Sequence, residues 1–196
     1  MAAGLTAGLG GAMGVRKLFG RSGATAAAGA LALAAVCLVA AAPVPRQAAD
    51  LTITDPAGKQ TQLASFKGKV VVVEFLLTRC PHCWRLAQTL GKLDKELGPK
   101  GFQAIGIAFD GDLTGSKVAE FATLARVTFP VGYTSAEKVD AFLGRKEMER
   151  FQVPQLVIID RAGTIRTQSH PVGETDLDDE ATLRRLVDDL LKQPAP

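Results

Sequence analysis

The sequence predicts an α/β domain in which a central sheet is covered by helices on both faces, and three observations carry that prediction. Two near-continuous apolar runs, Val70 to Val73 continued by Phe75 to Leu77, and Leu156 to Ile159, read as strands buried on both sides. Amphipathic helical patterns alternate with extended segments, and a hairpin and a last helix close the chain. Of its 196 residues 47% are hydrophobic and 22% charged, enough apolar material for a core, which excludes a disordered or collagen-like chain.

The elements follow in order. Leu51 and Ile53, the turn Asp55-Pro56-Ala57-Gly58, then Leu63 and Phe66 read as a small N-terminal hairpin. The first buried strand comes next. Leu86, Leu90, Leu93 and Leu97 recur at steps of four, three and four and stop at Gly98-Pro99, which predicts a helix with a defined end. Phe102 to Phe109 is a second strand. Val118, Phe121, Ala122 and Ala125 suggest a helix, Phe129 to Tyr133 a short extended piece, and Ala136, Val139, Phe142 and Leu143 another helix. Leu156 to Ile159 turns through Asp160-Arg161-Ala162-Gly163 into Thr164 to Thr167, and a helix carrying Leu183, Leu186, Val187, Leu190 and Leu191 ends the domain. The acidic group Asp176, Asp178, Asp179 and Glu180 opens that helix, where carboxylates complement the dipole, and is read as a cap rather than a metal site.

Ahead of the domain, Arg16, Lys17 and Arg21 precede 24 uncharged residues, Ser22 to Pro45, rich in alanine. This is the layout of an export signal, with Val39 and Ala41 at the small-residue positions before a cut. The same run is long enough to span a bilayer and stay as an anchor. Residues 1–41 are therefore expected to be a signal peptide or membrane anchor, 42–49 a linker and 50–196 the domain, with the protein in the periplasm or cell envelope. Cys37 lies within the apolar run, and Ala34, Ala35 and Val36 before it make a poor lipidation site. The net charge of +3 resides in the leader, since beyond residue 41 basic and acidic residues balance. A neutral body without basic clusters argues against nucleic acid as a partner.

Cys80-Pro81-His82-Cys83 lies between a buried strand and the start of a helix. A thiolate there faces unpaired backbone N–H groups and the positive end of the helix dipole, which makes Cys80 the expected nucleophile. Cys83, one turn further in, is expected to be buried and to resolve a mixed disulfide by attacking Cys80. Pro81 suits the first helical position. His82 is expected to place a donor or positive charge beside the Cys80 sulfur, favouring the reduced form and hence oxidant behaviour. Zinc needs about four ligands, more than Cys80, Cys83, His82 and a distant His170 readily supply. Glu74 is a lone carboxylate in an apolar strand; if buried its pKa should rise toward the working range, and otherwise it snorkels or pairs structurally.

These residues resemble the thioredoxin superfamily, and within it the exported TlpA/ResA-like branch. The resemblance runs from Asp50 to Leu191 through four features in order: Leu51 to Lys59 followed by Leu63 to Phe75, Cys80 to Cys83, Thr128 to Val131, and Val153-Pro154 before Leu156 to Gly163. It implies a thioredoxin-like fold, a mixed sheet with an N-terminal hairpin and a helical insertion. It also implies a redox-active Cys80–Cys83 disulfide with no further cofactor. Pro154, which by the residues alone is equally an ordinary strand-start proline, becomes under the resemblance the cis-proline beside that disulfide, with the Val153 backbone open to an extended partner peptide, and Glu74 a proton relay to Cys83. The substrates implied are protein thiols and disulfides, and the role is a reductant, often in cytochrome c or oxidase maturation, supplied with electrons by a membrane partner. The sequence departs from the family at Arg79, where tryptophan is usual, and at Gln155, where threonine follows the proline; Arg79 either adds positive charge near Cys80 and a partner or is simply solvated. Two other classes stay open: a copper(I)-delivery module built on the cysteines and a histidine, and a thiol peroxidase, although the Pro-x-x-x-Thr-x-x-Cys arrangement is absent and Thr78 stands only two residues before Cys80.

Overall fold

The computed structural model describes residues 43–145, 150, 152–172 and 176–194. Residues 1–42, and with them Cys37 and the expected signal peptide or anchor, lie outside the described residues. In chain order the elements are β1 (Arg46–Gln47), β2 (Thr52–Thr54), β3 (Gln60–Gln62), β4 (Val70–Leu76), α1 (Pro81–Leu97), β5 (Phe102–Ala108), α2 (Gly115–Leu124), β6 (Val131–Tyr133), α3 (Ala136–Leu143), β7 (Gln155–Ile159), β8 (Thr164–Gln168) and α4 (Glu180–Leu191). The strands form one sheet in the order β1-β8-β7-β4-β5-β6-β2-β3. Parallel pairing of β4 with β5 and antiparallel pairing with β7 place Val73 between Ile105 and Val157, at the centre of a mixed sheet.

The alternation of side chains along β4 explains why its whole run is apolar. Val70, Val72 and Leu76 face one way, onto Leu86, Leu90 and Leu93 of α1, Val118 and Phe121 of α2, and Leu183 and Val187 of α4. Val71, Val73 and Phe75 face the other way, onto Val139 and Phe142 of α3 together with Leu51 and Ile53. The rings of Phe75 and Phe142 sit 5.5 Å apart in a tilted contact. Each fully buried valine on β4 contributes roughly 1.5–3 kcal/mol of apolar burial, so a charge at Val72 would undo this centre.

The ends of the elements carry their own chemistry. The hairpin turn is held by the Asp55 carboxylate, which accepts from the Ala57 and Lys59 N–H groups at 2.9 Å, while Gly58 supplies the positive φ of 86°. Asp179 caps α4 by accepting from the Thr182 N–H at 2.8 Å, and Glu180 occupies its first turn. Arg184 reaches from α4 to Glu96 on α1 with two bonds of 2.7 and 2.8 Å, tying the two helices over the same face.

One boundary differs from expectation. Residues 46 and 47, assigned to a linker, form β1 on the edge beside β8, with Arg46 opposite Ile165. The Arg46 guanidinium donates to the Phe142 carbonyl at 3.1 Å and to Gln168 Oε1 at 2.5 Å, partners about a hundred residues away that no local pattern announces. A two-residue strand is also too short to show periodicity. No helix among the described residues is long and apolar enough to cross a membrane.

Candidate active site

The carboxyl end of β4 delivers Leu77, Thr78, Arg79 and Cys80 to the start of α1. Thr78 is held from two sides. Its N–H donates to both Asp110 carboxylate oxygens at 3.1 and 3.0 Å, and its hydroxyl donates to Oδ1 at 3.0 Å. Its carbonyl accepts from the Trp84 indole N–H at 2.8 Å. The loop that presents the first cysteine is thus fixed by a carboxylate at the end of β5 and an aromatic ring on α1.

Cys80 is the N-cap of α1 and Pro81 its first residue, where the missing N–H has no intrahelical acceptor to lose. The Cys83 N–H donates to Cys80 Sγ at 3.3 Å, and the Cys80 N–H donates to the Leu77 carbonyl at 3.0 Å. Cys80 Sγ also lies 3.9 Å from the Val153 carbonyl oxygen, and the Val153–Pro154 peptide is cis. Both cysteines are free thiols, Cys80 partly exposed and Cys83 fully buried. Burial pushes the Cys83 thiol far up, reinforced by its hydrogen bond with Cys80 and by the neighbouring charge of Glu74.

Glu74 lies on the same face of β4 as Val72 and Leu76, under α1, between Gly106 of β5 and Leu156 of β7 in register. Its exposure is 0%, and neither carboxylate oxygen has a hydrogen-bond partner. Burial raises its pKa well above the usual carboxylate range, and the charge of Cys80 adds to the rise. The structure therefore brings Cys80, Cys83, Glu74 and the Val153-Pro154 backbone to one place, with Arg79 exposed at the rim.

His82 is the exception. The expected donor beside the Cys80 sulfur is not there: His82 is exposed, and its Nδ1 lies 2.8 Å from Arg85 Nη2. Arginine only donates, so Nδ1 accepts and a neutral ring carries its proton on Nε2. The cause is helix geometry, which puts residues three apart on one outer face while Cys83 turns inward. His170 is exposed and contacts the Val172 carbonyl at 2.5 Å through Nδ1. Among the described residues no group of three or more His, Cys, Asp or Glu side chains converges as a metal cage would require.

Sequence reasoning missed Asp110 and the work of Gln155. The only signal for Asp110 was a carboxylate just past an apolar strand. Gln155, noted merely as a departure, is buried and donates through Nε2 to the Gln152 carbonyl at 2.7 Å and the His170 carbonyl at 3.3 Å. With the Gln152 N–H donating to the Pro171 carbonyl at 2.8 Å, it ties the loop before Pro154 to the loop after β8.

The AhpC/TSA family matches residues 44–168 of this chain. The chain belongs to the AhpC/TSA family. Among curated relatives of this family member, the thiol-disulfide oxidoreductase ResA of Bacillus thuringiensis (strain Al Hakam) is 28% identical over 123 residues, covering 63% of this chain and 67% of the relative. A putative protein disulfide isomerase from Bacteroides thetaiotaomicron superposes with a TM-score of 0.64 at 29% identity, covering 79% of this chain and 94% of that one. A thiol:disulfide interchange protein of the thioredoxin family from Chlorobium tepidum TLS gives 0.62 at 26% identity, over 76% of this chain and 98% of that one. The fold is thioredoxin-like, and this AhpC/TSA member is a thiol-disulfide oxidoreductase.

Proposed function

We propose that the chain is an exported reductant of protein disulfides in the cell envelope, working through Cys80 and Cys83, with cytochrome c maturation as its setting and a membrane protein as its electron source. The observation that carries the reading is the asymmetry of the pair. Cys80 sits at a helix N-terminus with an N–H on its sulfur, and Cys83 is buried beside an unpartnered carboxylic acid. The export signal layout of residues 1–41 and the ResA relative support the location and direction.

In the reducing direction the Cys80 thiolate attacks one sulfur of the partner disulfide, forming a mixed disulfide and expelling the other partner sulfur as thiolate. Glu74, ionised, takes the proton from the Cys83 thiol. The Cys83 thiolate then attacks Cys80 Sγ and releases the second partner sulfur as thiolate. Two electrons have passed to the partner, and Cys80–Cys83 is left as a disulfide. A carboxylate whose pKa is raised by burial is a better base toward a thiol than an ordinary one, which suits Glu74 to this step. Val153 offers its carbonyl next to the reacting sulfur, where an extended partner backbone would lie.

The test is the equilibrium reduction potential of Cys80/Cys83 in the full-length chain against glutathione and thioredoxin buffers. A value near or below about −250 mV is expected, and one above roughly −150 mV would reverse the direction to an oxidant. Failure to form a Cys80–Cys83 disulfide at any potential would end the reading.

A further inference from the structure

We propose that the groove beside the redox pair is a specificity site for an extended partner segment that carries an acidic residue close to its reacting cysteine and a leucine-sized side chain further along. This deepens the thiol-disulfide reading and rests on it. The groove encloses about 230 Å³ between the loop before α1 and the outer face of α2, and Arg79, Trp84, Lys117, Glu120, Phe121 and Leu124 are among the residues that line it.

Its position follows from the chain. Arg79 immediately precedes Cys80 and Trp84 immediately follows Cys83, so a segment whose sulfur sits on Cys80 has this groove within a few residues' reach. At about 3.3 Å per extended residue, the first or second neighbour of the partner cysteine meets Arg79.

Its chemistry is mixed in a specific way. Leu124 is 54% exposed, and among the described residues only Val44 and Val172 are comparably exposed large hydrophobics. The indole N–H of Trp84 is already committed to the Thr78 carbonyl, so what the ring offers outward is apolar surface, with Phe121 behind it. An exposed leucine over an aromatic floor, next to a reactive sulfur, marks a contact surface.

The charge at the sulfur end is positive. From Leu77 to Leu93 the sequence holds Arg79, Arg85 and Lys92 and no acidic residue. Lys117 is paired with Asp112, and Arg85 is engaged with His82. Arg79 makes no hydrogen bond or ion pair among the described residues; its charge acts on the Asp112 carboxylate, which Lys117 already pairs, and its guanidinium stays open to a partner carboxylate. Glu120, on α2, disfavours a second acidic residue at the far end, and the exposed Leu124 and the Trp84 ring supply the apolar contact there.

Four short peptides test the proposal, each with one cysteine held as a mixed disulfide with 2-mercaptoethanol. They carry Asp or Lys next to the cysteine and Leu or Ser three residues away. The pre-reduced full-length chain is mixed with each, and peptide-thiol release is timed. Asp over Lys is expected to be about fivefold faster at low salt and near parity at about 0.5 M salt. Leu over Ser is expected on the order of tenfold. Arg79→Glu should invert the first ratio and Leu124→Ser should abolish the second, with each variant's other ratio kept. Equal rates for all four peptides, a lysine preference, or ratios unchanged in the variants would overturn the groove assignment while leaving the redox reading in place. Reaction with none of the peptides would overturn both.

Discussion

Glu74 lies within β4 and Asp110 just past the end of the adjacent parallel strand β5, and the molecule treats the two carboxylates in opposite ways. Asp110 takes both the N–H and the hydroxyl of Thr78, so its charge is met by donors at 3.0–3.1 Å. Glu74 has no exposure and no donor on either oxygen. A satisfied carboxylate holds the loop that presents Cys80. An unsatisfied one in the core costs stability whenever it is ionised, and such a cost beside two cysteines is a mark of chemistry rather than of architecture. The difference separates the acid that holds a loop of the fold from the acid that the proposed reaction would use.

The largest expected effect breaks the comparison on the Glu74 side. Glu74→Gln should slow release of the mixed disulfide on the order of 100-fold, the lower range for loss of a general base, while leaving the initial attack by Cys80 little changed; rapid-quench separation of the two steps checks this. Equal slowing of both steps would make Glu74 structural. On the Asp110 side, Asp110→Ala leaves two donors of Thr78 without their acceptor. A loss of about 2–3 kcal/mol in stability is expected, read from the urea midpoint, with a rate reduced through misplacement of Cys80. Gln155→Leu should follow at about 1–2 kcal/mol, because it removes one donor shared by the Gln152 and His170 carbonyls.

The pH dependence of stability sharpens the contrast further. The folded pKa of Glu74 is raised, so the folded state holds a proton that the unfolded chain has already lost. Stability from this group is fully present below the usual carboxylate range and declines as pH rises through the folded pKa. Glu74→Gln should therefore match the parent chain near pH 4 and become the more stable of the two toward pH 8, as measured by urea unfolding of the reduced proteins. The raised Cys83 thiol acts only above the ordinary thiol range and does not disturb that window. A gap that closes with rising pH would mean that Glu74 is stabilised as the charged form.

Much of this was legible in the linear chain because it is written locally. The β-branched run of β4, the leucine spacing of α1 and the cysteine pair at the junction between them each lie within a single element, and the pairing of strand end with helix start followed. Cys80, Cys83 and Glu74 were accordingly named from sequence and stand together in the structure. The misses have a common origin in distance along the chain. Thr78 and Asp110 are 32 residues apart, and Arg46 and Gln168 are 122 apart. His82 departs from expectation because Arg85, one turn along the same outer face of α1, engages its ring in place of the cysteine, and composition does not say which partner wins.

The sequence by itself determined an α/β domain with a strand-to-helix cysteine pair and a lone acid in the first buried strand, since periodicity and composition act over a few residues. Only the tertiary structure decided that Glu74 lacks a partner while Asp110 has three bonds, that Val153 lies 3.9 Å from Cys80 Sγ, and that Gln155 braces the loop beside it. Hydrogen bonds and burial are properties of neighbours in space, and those neighbours are chosen by how the strands are ordered in the sheet.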